Sequence, residues 1–280
     1  MAWDQHDPNR LLGDPVRLEL VARHRKTVRI NEEIEGSLQW RPTLHFEANE
    51  FSIIAADVRI SPFPESLMLT RAKIAQAHLP ITLYSVCELA AFVTREGQKE
   101  AKEAKAHGLG LFTVDPDGVV AKQFSGIPII NHIHAAEIDA LLVGIPKATC
   151  LRIKDAFDSY NSKPTDGITA ISEVLEDLVN NAAKGAVKKG WLTPAEAGLM
   201  LAGLLDGMAL KPQFLAQSAA IGSVRGFVKE YRNTANHSPR SRRQAYNKYV
   251  KCRQGFYAGI TAIDNFHKAM KGAGLNPKVS

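Results

Sequence analysis

The sequence predicts an α/β domain with a mixed sheet over residues 1–144 and an all-α domain over residues 145–280. Strand-like and helical runs alternate in the first half, which is the pattern of an α/β domain with a partly parallel sheet. After about Pro146 only long helical runs follow, with prolines between most of them. We therefore place the domain boundary near Gly144.

The first domain is predicted to contain three helices and four strands. Leu18, Val21 and Val28 are spaced along one side of the first helical run. Runs rich in β-branched and aromatic residues, closed by proline or glycine turns, indicate the strands. The helices are expected over 11–35, Glu65–His78 and Leu89–His107, and the strands over Thr43–Phe46, Phe51–Ile60, Ile81–Val86 and Leu109–Val114.

The second domain is predicted to be helical throughout. Thr193 before Pro194 is a good helix N-cap, since proline is favoured at the first helical position. The expected helices cover 147–160, 166–190, 194–208, 213–236 and 241–272.

Composition indicates a cytoplasmic globular protein. No apolar run approaches the roughly 20 residues that a membrane-spanning helix needs. The acidic, proline-containing start is unlike a signal peptide. The three cysteines are widely separated, which fits a reducing compartment better than disulfides or a zinc site. We expect no membrane partner, cofactor or metal.

Positive charge is concentrated in the last fifth of the chain. Residues 223–280 contain 12 Lys and Arg but only Glu230 and Asp264 as acids, whereas the rest of the chain is net negative. A local positive field attracts polyanions, of which nucleic acid is the commonest. The alternative is a solvated helix face with unpaired lysines.

Three segments of the first domain resemble the PD-(D/E)xK nuclease superfamily. They are Trp40–Thr43, Phe51–Arg59 and Gly108–Asp115, within a likeness that covers roughly residues 30–120. The resemblance implies a restriction-endonuclease-like α/β fold. In the family, an acid on one strand and an acid-x-Lys on the next hold Mg²⁺ on one sheet face.

The sequence departs from that signature at two positions. Thr43 stands where the first acid belongs, and Arg59 stands where the lysine belongs. Arginine cannot act as a base, and one carboxylate is a poor Mg²⁺ site. We therefore expect Asp57 and Arg59 to form a structural ion pair in a degenerate domain that recognises a ligand. A metal nuclease centred on Asp57, with Lys73 replacing the lost lysine, remains an alternative. His132 and His134 are interpreted as loop histidines rather than metal ligands.

The second resemblance lies in the segment Glu230–Pro239, which is similar to the Arg-x4-His motif of HEPN-domain proteins. The segment Gly167–Leu178 resembles an earlier helix of that family, which often carries an inward-facing acid. The resemblance implies a HEPN-like helical bundle and metal-independent RNA cleavage by Arg232 and His237. Asn233 and Glu176 complete the expected catalytic set.

Pro239 disfavours helical geometry at the residue before it, so the helix should end near Asn236. His237 would then leave the helix and fold back towards Arg232. A basic run follows at once, and we predict that it binds the substrate: Arg240, Arg242 and Arg243.

The expected chemistry is attack of a 2′-hydroxyl on the adjacent phosphate. His237 moves a proton and Arg232 neutralises the developing charge. The HEPN resemblance implies a homodimer and a toxin or phage-defence role, with an antitoxin or another regulatory partner as its counterpart. The apolar segment Leu199–Leu210 is either a dimer contact or core. The alternative function is a non-catalytic dimeric interaction or nucleic-acid-binding module, in which Arg232 and His237 cap a helix and bond Glu173 or Glu176.

Overall fold

A computed structural model describes residues 3–233 and 237–279 of the chain. The chain divides into two compact units. Unit 1 comprises residues 1–135 and 238–250, and unit 2 comprises residues 136–237 and 251–280. The segment after residue 237 therefore returns to the first unit, which no local sequence pattern indicated.

Unit 1 is built on a six-stranded mixed sheet whose strands follow the order of the sequence. The six strands are β1 (Arg29–Ile30), β2 (Leu44–Glu47), β3 (Ile53–Val58), β4 (Ile81–Glu88), β5 (Gly110–Val114) and β6 (Val120–Phe124). Strands β1 to β3 pair antiparallel, β3, β4 and β5 pair parallel, and β6 returns antiparallel. The strands predicted over Thr43–Phe46 and Phe51–Ile60 are therefore β2 and β3, which are neighbours in the sheet.

Helices cover both faces of this sheet. The helices are α1 (Arg10–His24), α2 (Glu65–Gln76), α3 (Leu89–Phe92) and α4 (Arg95–Ala106). On one face Val16 and Leu20 of α1 pack in a single buried cluster with alternate strand residues. On the other face Leu67 and Ile74 of α2 pack with the intervening strand residues. The period-two alternation of the strands therefore divides the core into two layers.

Two predicted helices of unit 1 were wrong in extent. The first ends at His24 because Arg25 adopts a left-handed backbone with φ of 52°. Its buried side carries Val16 and Leu20, whereas Leu18 is 54% exposed. The run predicted over Leu89–His107 is two helices, because the Thr94 hydroxyl accepts a hydrogen bond from the backbone N–H of Gly97 and starts a new helix.

The sequence did not predict the two edge strands, β1 and β6. β1 has only two residues, too few for a periodic pattern. β6 exposes Ala121 and Lys122 to solvent, so its sequence lacks the apolar alternation of a half-buried strand. A lysine on an edge strand also discourages pairing with other chains.

Unit 2 is helical throughout the described part of the chain, as predicted. Its long helices are α6 (Lys147–Ser162), α7 (Pro164–Lys188) and α10 (Ser218–Phe227), and shorter ones are α5 (Ala135–Leu141), α8 (Pro194–Ala197) and α9 (Leu201–Ala209). The last helix, α11 (Arg242–Gly272), starts in unit 1 and continues in unit 2. Phe157, Tyr160 and Phe256 pack their rings together in the core, with centroids 4.9 to 6.3 Å apart.

Local capping explains where several helices of unit 2 begin. The Thr193 hydroxyl accepts from the N–H of Glu196, whose carboxylate accepts from the N–H of Thr193, which confirms the predicted cap. The predicted helix 194–208 is nevertheless two helices, α8 and α9, since Met200 adopts an extended backbone. The run predicted over 213–236 is a 3₁₀ segment (Pro212–Gln217), α10, and a π-helical turn (Val228–Arg232).

Within the described residues, every helix is too short or too polar to cross a membrane.

Candidate functional site

The predicted catalytic arginine lies at the end of the π-helical turn in unit 2. Tyr231, its neighbour, packs on α11 at Gly255, where an added Cβ would lie 2.9 Å from Tyr231 side-chain atoms. A glycine is therefore required for this close approach. A π-helical turn widens a helix by one residue per turn and often occurs at functional sites. The turn presents Arg232 at the surface, where its side chain is 37% exposed.

Arg232 forms an ion pair with Glu176 of α7, with Nη1 3.3 Å from Oε2. Glu176 is the acid that we predicted for this site, and it is partly exposed rather than directed into the core. Glu173, the other acid considered, is exposed. Because both partners remain over a third accessible, the pair contributes roughly 0–1 kcal/mol to stability. Glu176 therefore orients the guanidinium more than it stabilises the unit.

Asn233 and His237 are both exposed. Residues 234–236, which join them and include the predicted helix end near Asn236, lie outside the described residues. In the described ranges no hydrogen bond or ion pair joins His237 to Arg232. The convergence of these two side chains stays a prediction.

The basic residues predicted to bind substrate begin α11 and belong to unit 1. Ser241 precedes the helix, and its hydroxyl accepts from the N–H of Gln244, whose side-chain oxygen accepts from the N–H of Arg240. This cap starts the helix directly after Pro239. Arg242 binds Glu47 of β2, with Nη2 2.8 Å from Oε2. Arg243 is exposed.

The centre that resembles a nuclease site is occupied by protein groups. Asp57 is 2% exposed, and its Oδ1 accepts from the backbone N–H of Thr43 at 2.9 Å. Its Oδ2 accepts from Arg59 Nη2 at 2.7 Å and from the Trp40 indole at 3.3 Å. The predicted ion pair of Asp57 and Arg59 is thus confirmed. The Arg59 guanidinium supplies the positive charge beside the buried Asp57 carboxylate.

The electrostatics of Asp57 agree with this closed arrangement. Burial raises the pKa of the carboxyl, while Arg59, the N–H of Thr43 and the Trp40 indole lower it. Burial is the largest of these effects, so the pKa of Asp57 is raised overall. Lys73, considered as a replacement lysine, lies in the last turn of α2 and is exposed.

Three histidines form a second cluster, in the loop after β6 and at the end of α4. The rings of His132 and His134 are 4.4 Å apart and perpendicular, and that of His107 is 5.2 Å from His134. Arg71 Nη2 is 3.1 Å from His132 Nδ1, so this nitrogen accepts, and Nε2 donates to the Ala106 carbonyl at 2.7 Å. Both nitrogens of His132 are thereby satisfied by protein groups. The prediction that His132 and His134 are loop residues is confirmed. Over residues 3–233 and 237–279, no three His, Cys, Asp or Glu side chains are grouped to hold a metal ion.

The sequence did not predict one feature of unit 1, the contact between His78 and Tyr246. His78 and Tyr246 are hydrogen-bonded at 3.0 Å although 168 positions separate them, and they line a cleft of about 810 Å³. A contact of that sequence separation leaves no local pattern. The only signal was the basic start of the last helix.

Comparison with known proteins identifies no relative: no family model, curated protein or solved structure matches the chain.

Proposed function

We propose that this protein is a metal-independent endoribonuclease of the HEPN type, in which Arg232 and His237 act on one phosphodiester. The observation that supports this most directly is the partly exposed Arg232, oriented by Glu176 at 3.3 Å on a π-helical turn. An exposed histidine follows five positions later, at a proline-containing turn. A surface guanidinium and a nearby imidazole are the groups that metal-free RNA cleavage requires.

In the proposed reaction the ribose 2′-oxygen forms a bond to phosphorus and the bond to the 5′-oxygen breaks. His237 accepts the proton of the 2′-hydroxyl, and an acid protonates the leaving 5′-oxygen. The products are a 2′,3′-cyclic phosphate and a 5′-hydroxyl. Arg232 binds the non-bridging oxygens as charge grows on them, and it suits this role because it stays protonated throughout. Asn233 follows Arg232 directly and is proposed to position the histidine.

The complementary acid is proposed to be His237 of a second copy, because the HEPN resemblance implies a homodimer. Large apolar residues at both ends of α9 support an interface on unit 2. Met200 is 90% exposed and Leu210 is 82% exposed, whereas Leu204 and Leu205 inside the helix are buried. The interior of the segment Leu199–Leu210 thus belongs to the core, and its ends are available for contact.

Unit 1 is proposed to be a degenerate restriction-endonuclease-like domain that recognises the substrate or a signal. Its mixed sheet with helices on both faces supports this fold. Thr43 and Asp57, at the positions of the family's two acids, are neighbours, and Arg59 replaces the lysine. A role as a toxin or phage-defence effector, with an antitoxin or other regulator, follows from the HEPN resemblance alone.

The test is cleavage of labelled RNA by the purified chain in EDTA. We expect His237→Ala to slow cleavage by about 10²–10⁴-fold and Arg232→Ala by about 10²–10³-fold. The matched control is Arg225→Ala, which removes an exposed arginine of α10 that pairs with Asp206 at 2.9 Å. This variant should retain activity.

Product ends provide a second measurement, since only attack by the 2′-hydroxyl leaves a cyclic phosphate. Cleavage that persists in both motif variants would refute the assignment. Cleavage of DNA that needs Mg²⁺ and is lost in Asp57→Ala would favour the metal nuclease instead.

A non-catalytic module is the second candidate, and the Arg232–Glu176 ion pair favours it. An arginine held by a carboxylate is a common structural feature that requires no reaction. In that case wild-type protein leaves RNA and DNA intact with and without Mg²⁺, and Arg232→Ala alters only stability or association.

A further inference from the structure

Two basic clefts on unit 1 share one wall residue. The first, of about 810 Å³, lies between the end of α2 and the start of α11. The second, of about 560 Å³, is bordered by β1, β2 and the turn after β2. Arg242 lines both clefts. We define the basic groove by its cations, which are Lys26, Arg29, Lys73, Arg242 and Arg243.

The balance of charge in the groove is strongly positive. The residues that line the two clefts include these five cations but only two acids, Glu35 and Glu47. Glu47 is engaged by Arg242 at 2.8 Å, and Arg29 is paired with Glu32 at 3.7 Å. Arg242 and Arg243 are the cations that the segment 238–250 contributes to the cleft walls. A concave surface with this excess concentrates a polyanion.

Polar and aromatic groups stand beside the cations. In the first cleft the ring of Tyr246 meets that of His78 edge-on, with centroids 5.2 Å apart. In the second cleft His45 is 5% exposed, and its Nδ1 has no hydrogen-bond partner among the described residues. A buried polar atom without a hydrogen-bond partner lowers the stability of the fold unless a ligand supplies the missing hydrogen bond. A nucleobase edge or a phosphate oxygen would do so.

We propose that the basic groove binds single-stranded RNA, with phosphates on the cations, a base against Tyr246 and a polar atom of the strand on His45 Nδ1. Two clefts joined at Arg242 fit successive nucleotides of a strand better than one small ligand. Grooves for single strands combine cations with aromatic rings in this way, because each base exposes a flat face for stacking. A duplex keeps its bases stacked inside, where these side chains do not reach. The identity of the strand as RNA rests on the proposed ribonuclease function.

The test is fluorescence anisotropy of a labelled 12-nucleotide RNA with the full-length His237→Ala chain, because the proposed metal-independent cleavage by the wild type would cut the probe. Removing Lys73 and Arg243 together should weaken binding at least tenfold. The slope of log K against log salt should fall by about 1.4, because each phosphate contact contributes about 0.7 for single strands. The matched control is Lys102→Ala with Lys105→Ala, which removes the same charge from exposed positions of α4 outside both clefts. It should change affinity less than twofold.

Equal loss of affinity in the control pair, or no loss in either pair, would overturn the groove. If AMP displaced the 12-mer at the concentrations at which the 12-mer itself binds, the groove would be a site for a free nucleotide and not for a strand. That result would overturn the proposal. Equal affinity for DNA of the same sequence would overturn the assignment to RNA. Wild-type protein that binds RNA in the groove but never cleaves it would refute the proposed function alone. Cleavage without groove binding would refute only this inference.

Discussion

Acidification should destabilise unit 1 through His132. The side chain is 6% exposed, and burial, then Arg71 and His134, lower its pKa from 6.5 to about 4. The hydrogen bond to the Ala106 carbonyl acts in the opposite direction without cancelling them. His132 therefore binds a proton near pH 6.5 in the unfolded chain, but only near pH 4 in the folded chain. The stability that neutral His132 contributes is complete above pH 6.5 and is lost as the pH falls towards 4.

The expected magnitude follows from these two pKa values. Between pH 7 and pH 5 the linkage relation gives a loss of about 2 kcal/mol of unfolding free energy. Protonation would also place an N–H of His132 against the Arg71 guanidinium, which removes the hydrogen bond at 3.1 Å. His107 nearby has its pKa lowered chiefly by burial, so it adds to the same trend.

The assay is urea unfolding followed by tryptophan fluorescence in a Trp191→Phe background, since Trp3 and Trp40 lie in unit 1 and Trp191 lies in unit 2. The difference in stability between pH 7 and pH 5 should be about 2 kcal/mol smaller in His132→Gln than in the wild type. The control is His6→Gln, which removes an exposed histidine of the same unit. If His132→Gln fails to fold, NMR titration of the wild type reports the pKa directly. A pH dependence unchanged by His132→Gln, or a measured pKa near 6.5, would refute the reasoning.

Three further predictions concern other parts of the chain. Asp57→Ala should lower the free energy of unfolding measured in urea by about 3–5 kcal/mol, because it leaves Arg59 without its buried partner. A decrease below about 1 kcal/mol would mean that the ion pair is dispensable. Gly255→Ala should destabilise unit 2 by about 1–3 kcal/mol and slow RNA cleavage, since the new Cβ lies 2.9 Å from Tyr231 and displaces the π-helical turn. If both the unfolding free energy and the cleavage rate were unchanged, the close packing at Gly255 would be contradicted. Met200→Lys should shift the protein towards monomer in light scattering with little change in stability, because this side chain is 90% exposed; an unaltered dimer would exclude this end of α9 from the interface.

The alternation of strands and helices in the first half, and the presence of helices alone in the described part of the second half, follow from local patterns. β3 and β4 are short runs dominated by β-branched and apolar residues and bounded by turn residues, which is the pattern of a buried strand. The ion pair of Asp57 and Arg59 was equally predictable, because residues two apart on a strand share a face. Thr193 and Pro194 marked a helix start by their own chemistry.

Tertiary structure decided what depends on residues distant in sequence. β6 is a strand because it pairs with β5 at the edge of the sheet, and its own sequence carries no strong local signal. The return of residues 238–250 to unit 1 brings Arg243 beside Lys73, and that neighbourhood defines the basic groove. Periodicity reports which face of a segment is apolar, but it does not report which segment that face meets. The sequence by itself therefore determined the classes of the elements and the residues of the motif, and only the fold decided which charges lie together.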